Sequence, residues 1–178
     1  MDLAPEIPAV SPVQMRSTLS RFATGVVVLA VGGKHIHGMT ANAFSSVSLD
    51  PPLVLCCVAR TAAMHAAITA AGHFATSVLR GDQEQRARHF ADRNRPAGQE
   101  QFDSVAWHAG RHTGAPVLDG ALAWLECALV GAYEAGDHSV FLGHVLDSGR
   151  GCGTTGLLFF EGTYREVDPG ASPIERRR

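Results

Sequence analysis

Residues 26–31 read Val-Val-Val-Leu-Ala-Val and residues 52–59 read Pro-Leu-Val-Leu-Cys-Cys-Val-Ala. Both runs are apolar without a break and rich in β-branched side chains. Each has the length of one strand and is too short for a helix of ordinary size. The partner of the first run comes directly after it. Gly32-Gly33 is a tight-turn pair, and "KHIHGMTA" (34–41) supplies a returning segment, so residues 26–41 are expected to form an antiparallel hairpin. The second run is continuous in its hydrophobicity and predicts a strand buried on both faces.

The rest of the chain fits around such strands. Ser11-Pro12 has the form of a helix start, a hydroxyl cap followed by proline at the first position. Met15, Leu19 and Phe22 come next at helical spacing and predict a short amphipathic helix to Phe22, ended by Gly25. "TAAMHAAITAAG" (61–72) predicts a helix with Thr61 as cap and Gly72 as stop, and "HFATSVLR" (73–80) a strand. "GDQEQRARHFA" (81–91) predicts a helix opened by Asp82, acidic early and basic late as the dipole prefers, before a loop over 92–102. Ala121–Ala135 reads as a long strand that turns at Gly136-Asp137-His138 into a second hairpin arm over 139–147. A final strand is expected over 157–166. Seven or so strands with two or three short helices predict a mainly β fold, a barrel closed by antiparallel hairpins with helical decorations. No Gly-x-Gly-x-x-Gly succeeds the first strand, which argues against a Rossmann fold. One domain is expected over 13–166, between flexible ends at 1–12 and 167–178.

Composition narrows the function classes. A net charge of −2 offers no basic face for nucleic acid. No window is apolar for the eighteen or more residues of a membrane helix. The opening "MDLAPEIPAVSPV" has neither the basic nor the apolar region of a signal peptide, so a cytoplasmic protein is expected. The four cysteines form no Cys-x-x-Cys pair, and Cys56 and Cys127 are expected to be buried and reduced. His35 and His37 alternate on one strand, but no third ligand stands at a metal-binding spacing, so no metal is expected.

Between the two apolar runs lies "TANAFSSVS" (40–48), dense in hydroxyl and amide groups. It reads either as a polar crossover loop or as the lining of a groove. The strings "RFATGVVVLAV", "HGMTANAFSSVSLDPPLVLCCVAR", "SVLRGDQEQRARHFA", "GDHSVFLGHV" and "LLFFEGTYR" resemble, in that order, the flavin reductase family over about residues 13–166. The members meant are the small reductase components of two-component flavin monooxygenases. The resemblance implies an FMN-binding split β-barrel and a homodimer. It also implies reduction of FAD or FMN by NADH or NADPH, with reduced flavin released to a partner monooxygenase.

A flavin needs hydrogen bonds around its ring and donors for its phosphate tail. Met39, Thr40, Ala41, Asn42 and Ala43 are expected beside the ring, where small side chains let backbone approach; Ser45 and Ser46 are expected at the ribityl chain or phosphate. Cys57, Val58, Ala59, Arg60, Thr61 and Ala62 end a strand and open a helix, whose free N–H groups and the Arg60 charge suit a phosphate. Ala62 stands where relatives often carry a hydroxyl, which leaves Thr61, Arg60 and backbone amides for that task. His89 and Phe90 are expected to close over the flavin tail or a dinucleotide's adenine, against the plainer reading of 86–95 as a solvated charged face. The resemblance implies that His138 is the catalytic residue, beside the ring where nicotinamide stacks, against the plainer reading of a turn histidine exposed to water; Phe160 and Tyr164 are expected next to it. Glu161 replaces a basic residue frequent in such tails and favours NADH over NADPH. Two other classes remain at this point: a flavin-retaining oxidase of the pyridoxamine-phosphate-oxidase type, and a non-catalytic flavin-binding module.

Overall fold

The computed structural model describes residues 10–167. Along the chain run α1 (Pro12–Leu19), β1 (Thr24–Gly25), β2 (Val27–Val31), β3 (His37–Ala41), β4 (Phe44–Leu49), β5 (Pro52–Ala59), α2 (Ala63–Ala71) and β6 (His73–Val78). Then come α3 (Glu84–Ala91), β7 (Trp107–Ala109), β8 (Pro116–Leu118), β9 (Ala123–Ala135), β10 (His138–Arg150), β11 (Gly156–Phe160) and β12 (Thr163–Val167). The expected flexible ends fall mostly on residues 1–9 and 168–178, outside the described residues; Pro12, placed in the first of them, already opens α1.

Seven strands form one antiparallel sheet in the order β3-β2-β6-β9-β10-β5-β4. Its two edge strands, β3 and β4, are consecutive in the chain and separated only by Asn42 and Ala43. Two residues span at most about 10 Å between the flanking Cα atoms, so opposite edges of the sheet must come together there. The sheet is rolled on itself, yet β3 and β4 do not pair with each other. This is a split barrel.

Alternation along β2 builds two cores. Val27, Leu29 and Val31 face one cluster with Met64 and Ile68 of α2, Phe74 and Phe141. Val26, Val28 and Ala30 face another with Ala87 and Phe90 of α3, Phe102 and Leu157. Every residue of β2 is buried, as its unbroken apolar run requires.

Several expectations change in the structure. β5 occupies the predicted residues, but only one of its faces is fully buried; Leu55, Cys57 and Ala59 are half-exposed because they border an opening. The α2 cap is Ala62, with no side-chain cap bond, one residue beyond Thr61, while Gly72 ends the helix in the left-handed conformation as predicted. Residues 157–166 are not one strand but the hairpin β11–β12, turned by Glu161 and Gly162, both at positive φ. The helix start at Ser11-Pro12 is as read, with the Ser11 hydroxyl accepting from the Gln14 N–H at 3.2 Å. The helix itself ends at Leu19 rather than Phe22 and buries none of its residues. Its apolar stripe faces outward. Among the described residues no helix is long and apolar enough to cross a membrane.

Candidate active site

The rolled sheet opens at the Asn42-Ala43 link, and a cavity lies on each side of it. The outer one, of about 820 Å³, is walled by Leu19, Phe22, Thr24, Phe44, Ser45, Leu55 and Phe159. The inner one, of about 550 Å³, lies between β3, the end of β5, the start of α2 and the segment after α3. Asn42, Ala43 and Cys57 line both. The polar stretch at 40–48 therefore borders a cleft, and its second half is an edge strand rather than a loop.

The link is held from three directions. The Cys57 N–H donates to the Ala43 carbonyl at 2.9 Å, tying it to β5. The Thr40 hydroxyl donates to the Ala87 carbonyl at 2.7 Å, tying β3 to α3. The Asn42 amide nitrogen donates to the Thr24 hydroxyl at 3.1 Å, tying it to β1. Side chains expected to face a ligand thus partly serve to fix the rim; Ser45 likewise donates to its neighbour's carbonyl, Ser46 O, at 3.1 Å. Approach of a ring to this rim is allowed because Ala41, Ala43 and Ala59 carry nothing beyond Cβ.

Met39, Thr40, Ala41, Val58, Ala59, Thr61, Ala62, Phe90 and His138 all line the inner cavity. His138 opens β10, opposite Ala59 in register. Its Nδ1 lies 2.8 Å from Asp137 Oδ1, which fixes the ring and leaves Nε2 as the nitrogen available to a ligand. The same contact holds the Asp137 carboxyl below its ordinary range.

Five expected residues line neither cavity. Arg60 is exposed and reaches back to Glu134 at 3.3 Å, so its charge is engaged away from the cleft. His89 turns inward, its Nε2 2.7 Å from the Gln101 carbonyl. Ser46 is exposed on the edge strand. Tyr164 packs edge-on against Phe159 and under the Arg88 guanidinium, 5.2 Å from the ring centroid. Phe160 is displaced by strand alternation: Phe159, one residue earlier, is the one that reaches the outer cavity.

Two arginines that the sequence did not single out individually take the place of Arg60. Arg93 and Arg95 line the inner cavity with His37 and His138, and no aspartate or glutamate does. The Arg95 Nε is buried without a hydrogen-bond partner. Small residues at a rim and an unpaired cation beside it fit a flat ring with an anionic tail. The clue was the arginine run at 86–95, of which the last two point into the cleft while Arg88 pairs with Glu84 on the helix surface.

Comparison with known proteins agrees with this geometry. The family described as Flavin reductase like domain matches residues 19–168. The NADH-dependent FAD reductase of Streptomyces globisporus is 50% identical over 172 residues, covering 95% of this chain and 94% of that protein. The solved NADH:FAD oxidoreductase of Streptomyces globisporus C-1027, in complex with NAD and FAD fragments, superposes with a TM-score of 0.85 at 48% identity, covering 93% of this chain and 100% of that one. The reductase component of 4-hydroxyphenylacetate 3-monooxygenase from Thermus thermophilus is 37% identical over 153 residues, covering 85% and 94%. With the matched domain spanning both cavities and the link between them, this chain belongs to the flavin reductase family.

Proposed function

We propose that this chain is an NADH-dependent flavin reductase that takes FAD in preference to FMN and hands the reduced flavin to a separate monooxygenase. The observation that carries the reading is the double cleft at the Asn42-Ala43 link, small-sided at its rim and cationic without acidic residues at its inner end. The preference for NADH and FAD is supported by the S. globisporus relative, and the monooxygenase partner by the Thermus one.

Bound flavin supplies the hydride-accepting nitrogen, and the transfer itself asks no nucleophile of the protein. The chain's own residues bind, orient and exclude water. Met39 to Ala43 offer backbone and small side chains along the rim, and Phe44, Leu55 and Phe159 provide apolar walls that keep water from the reacting faces. His138, held by Asp137, is placed to orient a carboxamide or carry a proton at Nε2. A second copy of the chain is part of the reading: Leu19, at the end of α1, and Phe22, just after it, line the outer cavity and stay largely exposed, a surface that a homodimer would cover. We place the protein in the cytoplasm, an assignment supported by four unpaired cysteines.

The test is NADH consumption, monitored by its absorbance, with FAD, FMN or riboflavin added. Flavin-dependent loss of NADH is expected, fastest with FAD. A folded protein that leaves NADH untouched with all three flavins would overturn the reading.

A further inference from the structure

Arg95 lies on the segment after α3, and its surroundings are unusual for a guanidinium. Its Nη2 donates to the Gly38 carbonyl and lies 3.2 Å from His37 Nε2. Its Nη1 donates to the Asp92 carbonyl, and its buried Nε has no partner. Since a guanidinium can only donate, His37 Nε2 is the acceptor, so His37 is neutral with its proton on Nδ1.

No carboxylate among the described residues lies within ion-pairing distance of Arg95. Asp92 is near, but its Oδ1 accepts the Asn94 N–H at 2.8 Å. Burial lowers the Arg95 pKa; burial first, and then the Arg95 charge, lower that of His37. A half-buried cation facing a neutral imidazole, without a counter-ion, is costly to maintain. An anion in the cavity would supply the missing partner.

We propose that Arg95, with His37 beside it, is the phosphate-recognition site of the inner cavity, and that His37 takes up a proton when a nucleotide phosphate binds. The proposal rests on the flavin reductase reading and names a residue for it. The phosphate belongs either to the flavin nucleotide or to the pyridine dinucleotide, and the shared chemistry is that of a phosphate ester meeting a guanidinium. The linkage has a definite sign. An anion seated at Arg95 offsets the positive field on His37; the proton enters at Nε2 as the hydrogen bond from Arg95 Nη2 is given up, that nitrogen keeping its bond to the Gly38 carbonyl, so binding tightens as pH falls. The charged and titratable groups around His37 act in known directions. Arg95 and Arg93, from the segment after α3, oppose its protonation, as does His138 across the cavity when charged. Asp92 beside Arg95 favours it weakly, Cys57 lies on the cavity lining, and Lys34 and His35 sit in the turn before β3.

The experiment is a binding titration of riboflavin, FMN, FAD and NAD+ to wild type, Arg95→Gln and Arg95→Lys, with thermal melts as a check on folding. Arg95→Gln is expected to weaken FMN and FAD by about ten- to a hundredfold, the range for a hydrogen bond to a charged group. Riboflavin, which lacks the phosphate, should bind within about twofold of wild type, and Arg95→Lys should restore part of the loss. If NAD+ alone is weakened, the site stands and its phosphate is the dinucleotide's. If all four ligands bind Arg95→Gln as they bind wild type, or riboflavin weakens as much as FMN, the site is overturned while the reductase reading remains. Wild type that binds no flavin at all would remove the reductase reading and this proposal with it.

The proton is read by calorimetry of FAD binding in buffers of different ionisation heat, because the FAD diphosphate does not itself titrate near neutrality. Uptake is expected in wild type and should vanish in His37→Gln, together with the gain in affinity at lower pH. Undiminished uptake in His37→Gln would overturn the histidine's part.

Discussion

His138 is anchored through one ring nitrogen and offers the other to the cleft. Its replacement by alanine should lower turnover, or raise the NADH requirement, by about ten- to a hundredfold, the lower range of acid–base contributions. Flavin affinity and melting temperature should stay near wild type, since the ring packs into neither core; steady-state kinetics beside a flavin titration separates the two. The cysteines divide in the same way between interior and cleft. Burial pushes the Cys56 and Cys127 thiols up to about 12, so neither offers a thiolate at neutral pH. Cys57 is half-buried on the floor shared by both cavities, and Cys152 is exposed. A thiol reagent near pH 8 should therefore modify Cys152 and Cys57 and spare the other two. Bound flavin should protect Cys57 alone, as peptide mapping would show.

At the scale of elements, β9 carries a buried carboxylate that organises a loop. Glu126 is 1% exposed and accepts from the Thr113 hydroxyl at 2.6 Å, the Thr113 N–H at 2.8 Å and the His112 N–H at 3.1 Å. Burial alone would raise its pKa, but these bonds outweigh it and hold the carboxyl below its ordinary range. With the folded value below the unfolded one, its stabilisation is complete above the ordinary carboxyl range and is lost as pH falls through the folded value. Glu126→Gln should cost about 1–3 kcal/mol near neutral pH, by presenting an amide to several donors, and should flatten the acid side of the stability profile in denaturant titrations.

Elements also show what was legible beforehand. β2 and β5 could be read because unbroken apolar runs admit few alternatives, and the Gly-Gly and Gly-Asp turns announced their hairpins. β4 could not: Ser45, Ser46 and Ser48 leave little apolar alternation, and its strand character comes from pairing with β5. The β11–β12 turn was hidden because Glu161, a residue that rarely takes positive φ, shares it with Gly162. In the site, the polar residues of 40–48 alone left a crossover loop and a groove lining both open, and the family resemblance pointed to the rim from Met39 to Ala43. Arg95 could not, because only tertiary packing distinguishes it from the solvated arginines beside it.

For the whole molecule, the exposed apolar surface is the main unsolved demand of the isolated chain. Val13 and Phe22 are 76% and 71% exposed, and Leu49, at the end of the edge strand β4, is 93% exposed. Such an edge is normally covered, charged or kept short. If a second copy covers it, Val47→Lys with Leu49→Glu should shift sedimentation from dimer to monomer and weaken flavin binding at the outer cavity. Wild type sedimenting as a monomer at micromolar concentration would overturn the dimer.

The link of Asn42 and Ala43 behaves as a saddle between two doorways. A molecule seated astride it has an exit on either side, so a spent visitor can depart through one door while the rider keeps its place or leaves by the other. Traffic through such a protein need not queue. That suits a carrier whose cargo is meant to travel on rather than to stay.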